Sequence, residues 1–139
     1  MRILIVDDSS MMRAMIKRVV KLTKVPVEEI LEAGDGAQAL ALLEAKDVQL
    51  LLTDINMPVM SGADLLRRVA EDDRWRNLTR VIISTHGSEA RRAQAAGLSV
   101  RCYLQKPFSP EVLRDVLNDG GATARLWACR RWCDPSPGR

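Results

Sequence analysis

Residues 50–62 read Leu-Leu-Leu-Thr-Asp-Ile-Asn-Met-Pro-Val-Met-Ser-Gly: an apolar run, then a hydroxyl and a carboxylate, then a turn through Pro58. A strand with one wet face shows polar residues at every second position. A run with none is the pattern of a strand covered on both faces, as the central strands of a parallel sheet are. Asp54 then falls just past the carboxyl end of the strand, the edge at which open α/β sheets bind their ligands.

Working outward, the same unit recurs five times: a short apolar run, a small polar or acidic loop, and an amphipathic stretch with helical spacing. This alternation predicts an α/β fold, a doubly wound parallel sheet. The predicted strands are Arg2–Val6, Glu29–Glu32, Leu50–Thr53, Arg80–Ser84 and Arg101–Leu104, the second with acidic residues around Ile30 and Leu31. The first helix runs from Ser10 to Thr23 with Met12, Met15, Ile16, Val19, Val20 and Thr23 on one stripe, and Pro26 stops it. The second opens after Asp35-Gly36 and turns Ala37, Leu40, Ala41 and Leu43 inward; the third spans Gly62–Asp72 with Leu65, Leu66 and Val69 inward. A short fourth helix follows Ser88. The fifth is capped by Ser109, begins at Pro110, buries Val112, Leu113, Val116 and Leu117, and ends near Asn118–Gly121.

At 139 residues, 47% hydrophobic and 28% charged, the chain suits one globular domain that buries a core without disulfide or metal staples. The net charge of +3 is unevenly placed. Residues 120–139 hold Arg125, Arg130, Arg131 and Arg139 against Asp134, and removing them from the 21 basic and 18 acidic residues leaves the first 119 neutral. The expected division is therefore a domain over 1–119 and a basic, flexible tail over 120–139. A neutral body argues against DNA or RNA as partner, because such surfaces rely on clustered cations. Three cysteines, Cys102, Cys129 and Cys133, form no disulfide framework, and the amino terminus lacks a signal peptide, so the cytoplasm is the expected compartment. Every apolar run is far shorter than a membrane span, so no stable membrane insertion is expected.

The residues just past the strands carry the chemistry. The first strand ends in Asp7-Asp8, the third in Asp54, the fourth in Ser84-Thr85, and the fifth leads into Lys106-Pro107. Any one of these aspartates is equally well explained as a helix cap or a turn residue. Three acids, a hydroxyl and a lysine, each at the matching end of its strand, are not. Three carboxylates on one sheet edge repel one another unless a cation sits among them. An all-oxygen donor set suits Mg²⁺ or Mn²⁺ rather than zinc, His86 being the sole nitrogen donor on that edge.

The run Ile-Leu-Ile-Val-Asp-Asp-Ser, the segment at 51–62, and Lys106-Pro107 followed by Phe108 together resemble response-regulator receivers, especially the single-domain CheY-like chemotaxis type, over residues 2–118. The resemblance implies a five-stranded flavodoxin-like sheet of order 2-1-3-4-5 with helices on both faces. It makes Asp54 the phospho-acceptor, places the metal on Asp7, Asp8, Asp54 and the main-chain carbonyl of Asn56, and pairs Lys106 with the phosphoryl group. It implies a sensor histidine kinase as donor, a downstream target protein such as the flagellar motor switch, and no enzymatic activity beyond self-phosphorylation and self-dephosphorylation. Counting thirty residues on from Asp54, as that type does, lands on Ser84 as the switch hydroxyl, with Thr85 the alternative. Tyr103 matches the aromatic whose rotamer reports the phosphorylated state.

The spacing departs from the family between Ser84 and Gly97, which is two residues short, and between Gly97 and Tyr103, which is two residues long. Two further readings compete with a free-standing switch. One is the receiver portion of a longer regulator. The other is a phosphatase of the haloacid-dehalogenase type, which calls for an Asp-x-Asp motif after the first strand where this chain has Asp7-Asp8. Cys129 and Cys133, one helical turn apart, lack the further ligands that would close a zinc site.

Overall fold

Ile3, Leu4, Ile5 and Val6 are at most 1% exposed, so the first strand is enclosed on both faces, as its lack of polar alternation requires. The computed structural model describes residues 1–55, 57–84, 102–105, 110–111 and 113–114. Its strands are β1 (Arg2–Val6), β2 (Glu29–Ala33), β3 (Leu50–Thr53), β4 (Thr79–Ser84) and β5 (Cys102–Gln105). They form one parallel sheet in the order β2-β1-β3-β4-β5. The helices are α1 (Ser10–Leu22), α2 (Gly36–Ala45) and α3 (Gly62–Ala70), with a single 3₁₀ turn at Asp73–Trp75.

The strand order fixes where the helices lie. Passing from β1 to β2 moves the chain one way across the sheet; passing from β2 to β3 and from β3 to β4 moves it the other way. Parallel crossovers are right-handed, so α1 lies on one face and α2 and α3 on the other. The reversal occurs between β1 and β3, and a crevice opens there at the carboxyl ends of the strands.

Each helix buries its stripe on this sheet. Leu65, Leu66 and Val69 of α3 are fully buried, as are Ile16 and Val20 of α1 to within 2%. Each such side chain contributes on the order of 1.5–3 kcal/mol relative to leaving it in water. Helices α1, α2 and α3 each begin with a side-chain cap: Ser9 Oγ accepts from Met12 N at 3.2 Å, Asp35 Oδ1 from Gln38 N at 2.8 Å, and Ser61 Oγ from Asp64 N at 3.2 Å. The edge strand β2 carries its acids in ion pairs. Glu29 meets Arg2 at 3.1 Å, and Glu32 meets Arg13 at 3.2 Å and Lys17 at 3.1 Å. Charge on an edge strand also discourages pairing with another sheet.

Several local expectations change. Met15 is 51% exposed rather than part of the core stripe. On α2, Ala39 is fully buried, whereas Ala37 and Ala41 are exposed. A helix of alanine and leucine has little angular contrast, so its inner face is chosen by the strand beneath it and not by its own pattern. The first helix stops at Leu22, before Pro26, because Thr23 Oγ1 turns back onto Val20 O at 2.6 Å and Lys24 takes a left-handed φ of 62°. The third helix ends at Ala70 instead of Asp72, whose carboxylate caps the following 3₁₀ turn by accepting from Arg74 N at 2.9 Å. Pro110, Glu111, Leu113 and Arg114 are helical, and Leu113 is fully buried. The fourth helix, the bounds of the fifth and residues 120–139 lie outside the described residues.

Candidate metal centre

β1 and β3 are hydrogen-bonded neighbours, with Val6 in register with Thr53. That register sets the next residue of each strand, Asp7 and Asp54, side by side, and Asp8 follows. One carboxylate oxygen from each of Asp7, Asp8 and Asp54 lies within 4.8 Å of the other two. Asp7 is 2% exposed, Asp54 half-buried and Asp8 exposed, so the cluster opens to solvent through Asp8.

The backbone around Asp7 and Asp54 is tied down. Asp7 N donates to Ala33 O at 3.1 Å and Asp54 N to Val6 O at 2.9 Å, which extends the sheet ladder into the site. Ser9 N donates to Asp7 Oδ1 at 2.9 Å. Arg13 Nη1 donates to Asp7 O at 2.5 Å while its Nε holds Glu32, so a surface ion pair on β2 steadies the backbone of a site residue. Asp54 Oδ1 accepts from Ile55 N at 2.7 Å, and Asp54 O accepts from Thr53 Oγ1 at 2.8 Å. The bonds from Ser9 N and Ile55 N fix the direction in which the Asp7 and Asp54 carboxylates face.

The chain after Asp54 folds back tightly. Gly62 N donates to Ile55 O at 2.7 Å, and a Cβ at position 62 would stand 1.8 Å from Asp54 O. No side chain fits there; the loop closes only because Gly62 has none. Met60 N donates to Pro58 O at 2.7 Å around Val59, whose φ is 67°. A bond of this span about a positive φ is a γ-turn, and a β-branched residue in it is strained. Met60 O in turn accepts from Gly36 N at 3.0 Å, joining the loop to the start of α2. At Gly36 a Cβ would meet Met60 Cγ at 2.7 Å.

The donor set fits a hard divalent cation. Three carboxylate oxygens within 4.8 Å of one another are hard, anionic donors of the kind that Mg²⁺ takes. No described residue offers nitrogen or sulfur to the cluster.

Among the predicted site residues, Asp7, Asp8 and Asp54 are brought together. Ser84 ends β4, two residues past Ile82, which is in register with Thr53; Tyr103 in β5 is in register with Ile82. The side chains of Ser84 and Tyr103, and all of Asn56, Thr85, His86 and Lys106, lie outside the described residues. Sequence reasoning missed Arg13, Thr53, Gly36 and Gly62 as supports of the site. Gly62 had a signal, a glycine soon after a strand-end acid, but its meaning depends on how the loop returns. Arg13 had none, since it sits among the polar residues of α1.

Residues 3–118 match the response regulator receiver domain family, and the chain belongs to it. Chemotaxis protein CheY1 of Helicobacter pylori is 41% identical over 118 residues, which cover 84% of this chain and 94% of the relative. The chemotaxis response regulator CheY4 of Vibrio cholerae superimposes with a TM-score of 0.71 at 28% identity, over 84% of this chain and 94% of that one. The receiver domain of the sensor histidine kinase PA1611 of Pseudomonas aeruginosa, solved with magnesium coordinated in its active-site cleft, has a TM-score of 0.72 at 22% identity, over 84% and 93% of the two chains. The protein is thus a receiver of the two-component type, a phospho-accepting signalling switch and not a classical enzyme. Receivers bind Mg²⁺ at an acidic pocket, and this chain has the matching aspartate cluster. They interact with histidine kinases and with downstream targets. Among the described residues no helix is long and apolar enough to cross a membrane.

Proposed function

We propose that Asp54 is the phospho-acceptor, that Asp7, Asp8, Asp54 and the main-chain carbonyl of Asn56 hold Mg²⁺, and that Lys106 neutralises the incoming phosphoryl group. The observation that carries this reading is the convergence of three carboxylates at the ends of adjacent strands, with Asp54 oriented by Ile55 N–H. An oxygen of the Asp54 carboxylate attacks phosphorus and forms an acyl phosphate. The bond from phosphorus to the donor imidazole nitrogen breaks, and its electron pair stays on the ring. When bound, the cation offsets negative charge on the phosphoryl oxygens. Asp7 and Asp8 locate it, and the bonds from Ser9 N–H and Arg13 limit how far Asp7 can move. Water attack on the same phosphorus returns the carboxylate and releases inorganic phosphate, the self-dephosphorylation that resets the switch. Ser84 contributes the switch hydroxyl and Tyr103 the reporting aromatic, so that phosphorylation alters binding to a target of the chemotaxis type, such as the flagellar motor switch, in the cytoplasm. Residues 1–119 form the receiver, and 120–139 a basic extension.

Acetyl phosphate with Mg²⁺ tests this by intact mass and by Trp75 fluorescence. The native chain gains one phosphoryl group, and Asp54→Asn loses the reaction by on the order of a thousandfold. Chelation of Mg²⁺ abolishes it, and Mn²⁺, which shares the preference for six oxygens, restores it. Equal modification of Asp54→Asn, or indifference to the metal, would overturn the assignment.

A further inference from the structure

The side chain of Arg13 is 19% exposed, and Arg13 sits one helical turn past the cap of α1, where Arg13 N donates to Ser9 O at 3.0 Å. Its guanidinium meets two acceptors at once: Nη1 donates to Asp7 O at 2.5 Å and Nε to Glu32 Oε1 at 3.2 Å. The other oxygen of Glu32 accepts from Lys17 Nζ at 3.1 Å. Glu32 precedes Ala33 on β2, and the Ala33 carbonyl accepts from Asp7 N at 3.1 Å. Both backbone polar groups of Asp7 therefore lead to β2, the N–H directly and the carbonyl through Arg13 and Glu32, and the ring of bonds closes.

The ring acts beyond Asp7. A peptide group is planar, so the direction of Asp7 O also sets that of Asp8 N and Cα across the same bond. Asp8 is the exposed member of the aspartate cluster, and its place follows from that plane. The charge on Arg13 works the other way, since an uncompensated cation beside three carboxylates competes with a metal ion for them. Glu32 offsets it. Because Lys17 shares Glu32, the three side chains together carry one positive charge, at a surface where dissolved ions screen it. The orienting bond outweighs this residue of repulsion. Arginine suits the task because its planar fork aims N–H groups at two fixed acceptors, which an ammonium on a flexible stem does not.

We propose that Arg13 is a positioning residue of the metal centre: by holding the Asp7–Asp8 peptide it sets the affinity for Mg²⁺, and Glu32 serves it by fixing the guanidinium and offsetting its charge. This rests on the reading of Asp7, Asp8 and Asp54 as the metal site and adds a determinant outside the ligand set.

Calorimetric titration of the full chain with Mg²⁺ alone, at about 0.1 and 0.5 M salt, tests this. Arg13→Ala should weaken binding about tenfold or more at both salt concentrations, the usual result of losing a hydrogen bond behind a metal ligand. Arg13→Lys keeps the charge and loses the fork, so it should recover only part of the affinity. Glu32→Gln leaves two cations without their acid, and its several-fold loss should shrink at the higher salt. Lys17→Gln removes a cation and no contact with the site, so affinity should hold level or rise slightly. With acetyl phosphate, the Mg²⁺ concentration giving half the maximal rate should rise in Arg13→Ala by the calorimetric factor, and saturating Mg²⁺ should restore most of the rate. Native-like binding by Arg13→Ala or Arg13→Lys, tighter binding by Arg13→Ala, or an equal loss in Lys17→Gln would overturn the proposal. A native chain that binds no Mg²⁺ would instead overturn the metal-site reading, and the proposal with it.

Discussion

The loops after β1 and after β3 start alike and are built differently. Each follows a strand buried on both faces, and each opens with an aspartate that continues the sheet ladder. The first passes through Asp7, Asp8 and Ser9 straight into α1, with Ser9 serving at once as cap and as a backbone donor to Asp7. The second takes residues 54–61 to reach α3, holds a left-handed valine, and is pinned to itself at Gly62 and to α2 at Gly36. Under the roles proposed for them, a metal-holding pair at Asp7 and Asp8 needs only a short rigid turn, and an acceptor at Asp54 whose modification must be felt elsewhere gains from a longer loop with tethers to other elements.

The largest break in this comparison comes from Gly62→Ala. A methyl group 1.8 Å from Asp54 O cannot be absorbed by rotating a side chain, so the loop or the start of α3 must shift. The expected loss is about 3 kcal/mol or more in urea unfolding, with weaker Mg²⁺ binding in whatever fraction folds. Val59→Gly acts in the opposite direction. Relief of the left-handed strain outweighs the added freedom of the unfolded glycine, and thermal unfolding should show a gain of about 1 kcal/mol. A loss instead would mean that the exposed valine side chain supports the loop.

The smallest effect concerns the first loop, through Arg13 and Glu32. Burial pushes the Glu32 carboxyl upward, but hydrogen bonds and attraction from Lys17 and Arg13 outweigh it and hold the group below the usual carboxylate range. A depressed folded value means stability that is present above the unfolded pKa and lost as pH falls through the folded one. Because Glu32 is largely exposed, the loss should be a few tenths of a kcal/mol on acidification, absent in Glu32→Gln and reduced by salt.

The alternation of apolar runs with amphipathic stretches predicted all five strands and the burial of Leu65, Leu66 and Val69. It predicted less well where composition lacks contrast, as in α2, or where a cap competes with the helix, as at Asp72. By itself the sequence determined that three aspartates stand at strand ends, because side-chain chemistry and the abrupt end of a hydrophobic run are local properties. That Asp7 and Asp54, far apart along the chain, share one site was implied in the sequence through the family resemblance, and the tertiary structure supplies the physical cause. The pairing of β1 with β3 is a long-range hydrogen-bonding choice, and no local pattern records it. The same holds for the empty space that Gly62 must leave beside Asp54 O and for the tether from Gly36 to Met60. Contacts between backbone atoms are set by how loops return, and a residue's identity alone does not carry that information.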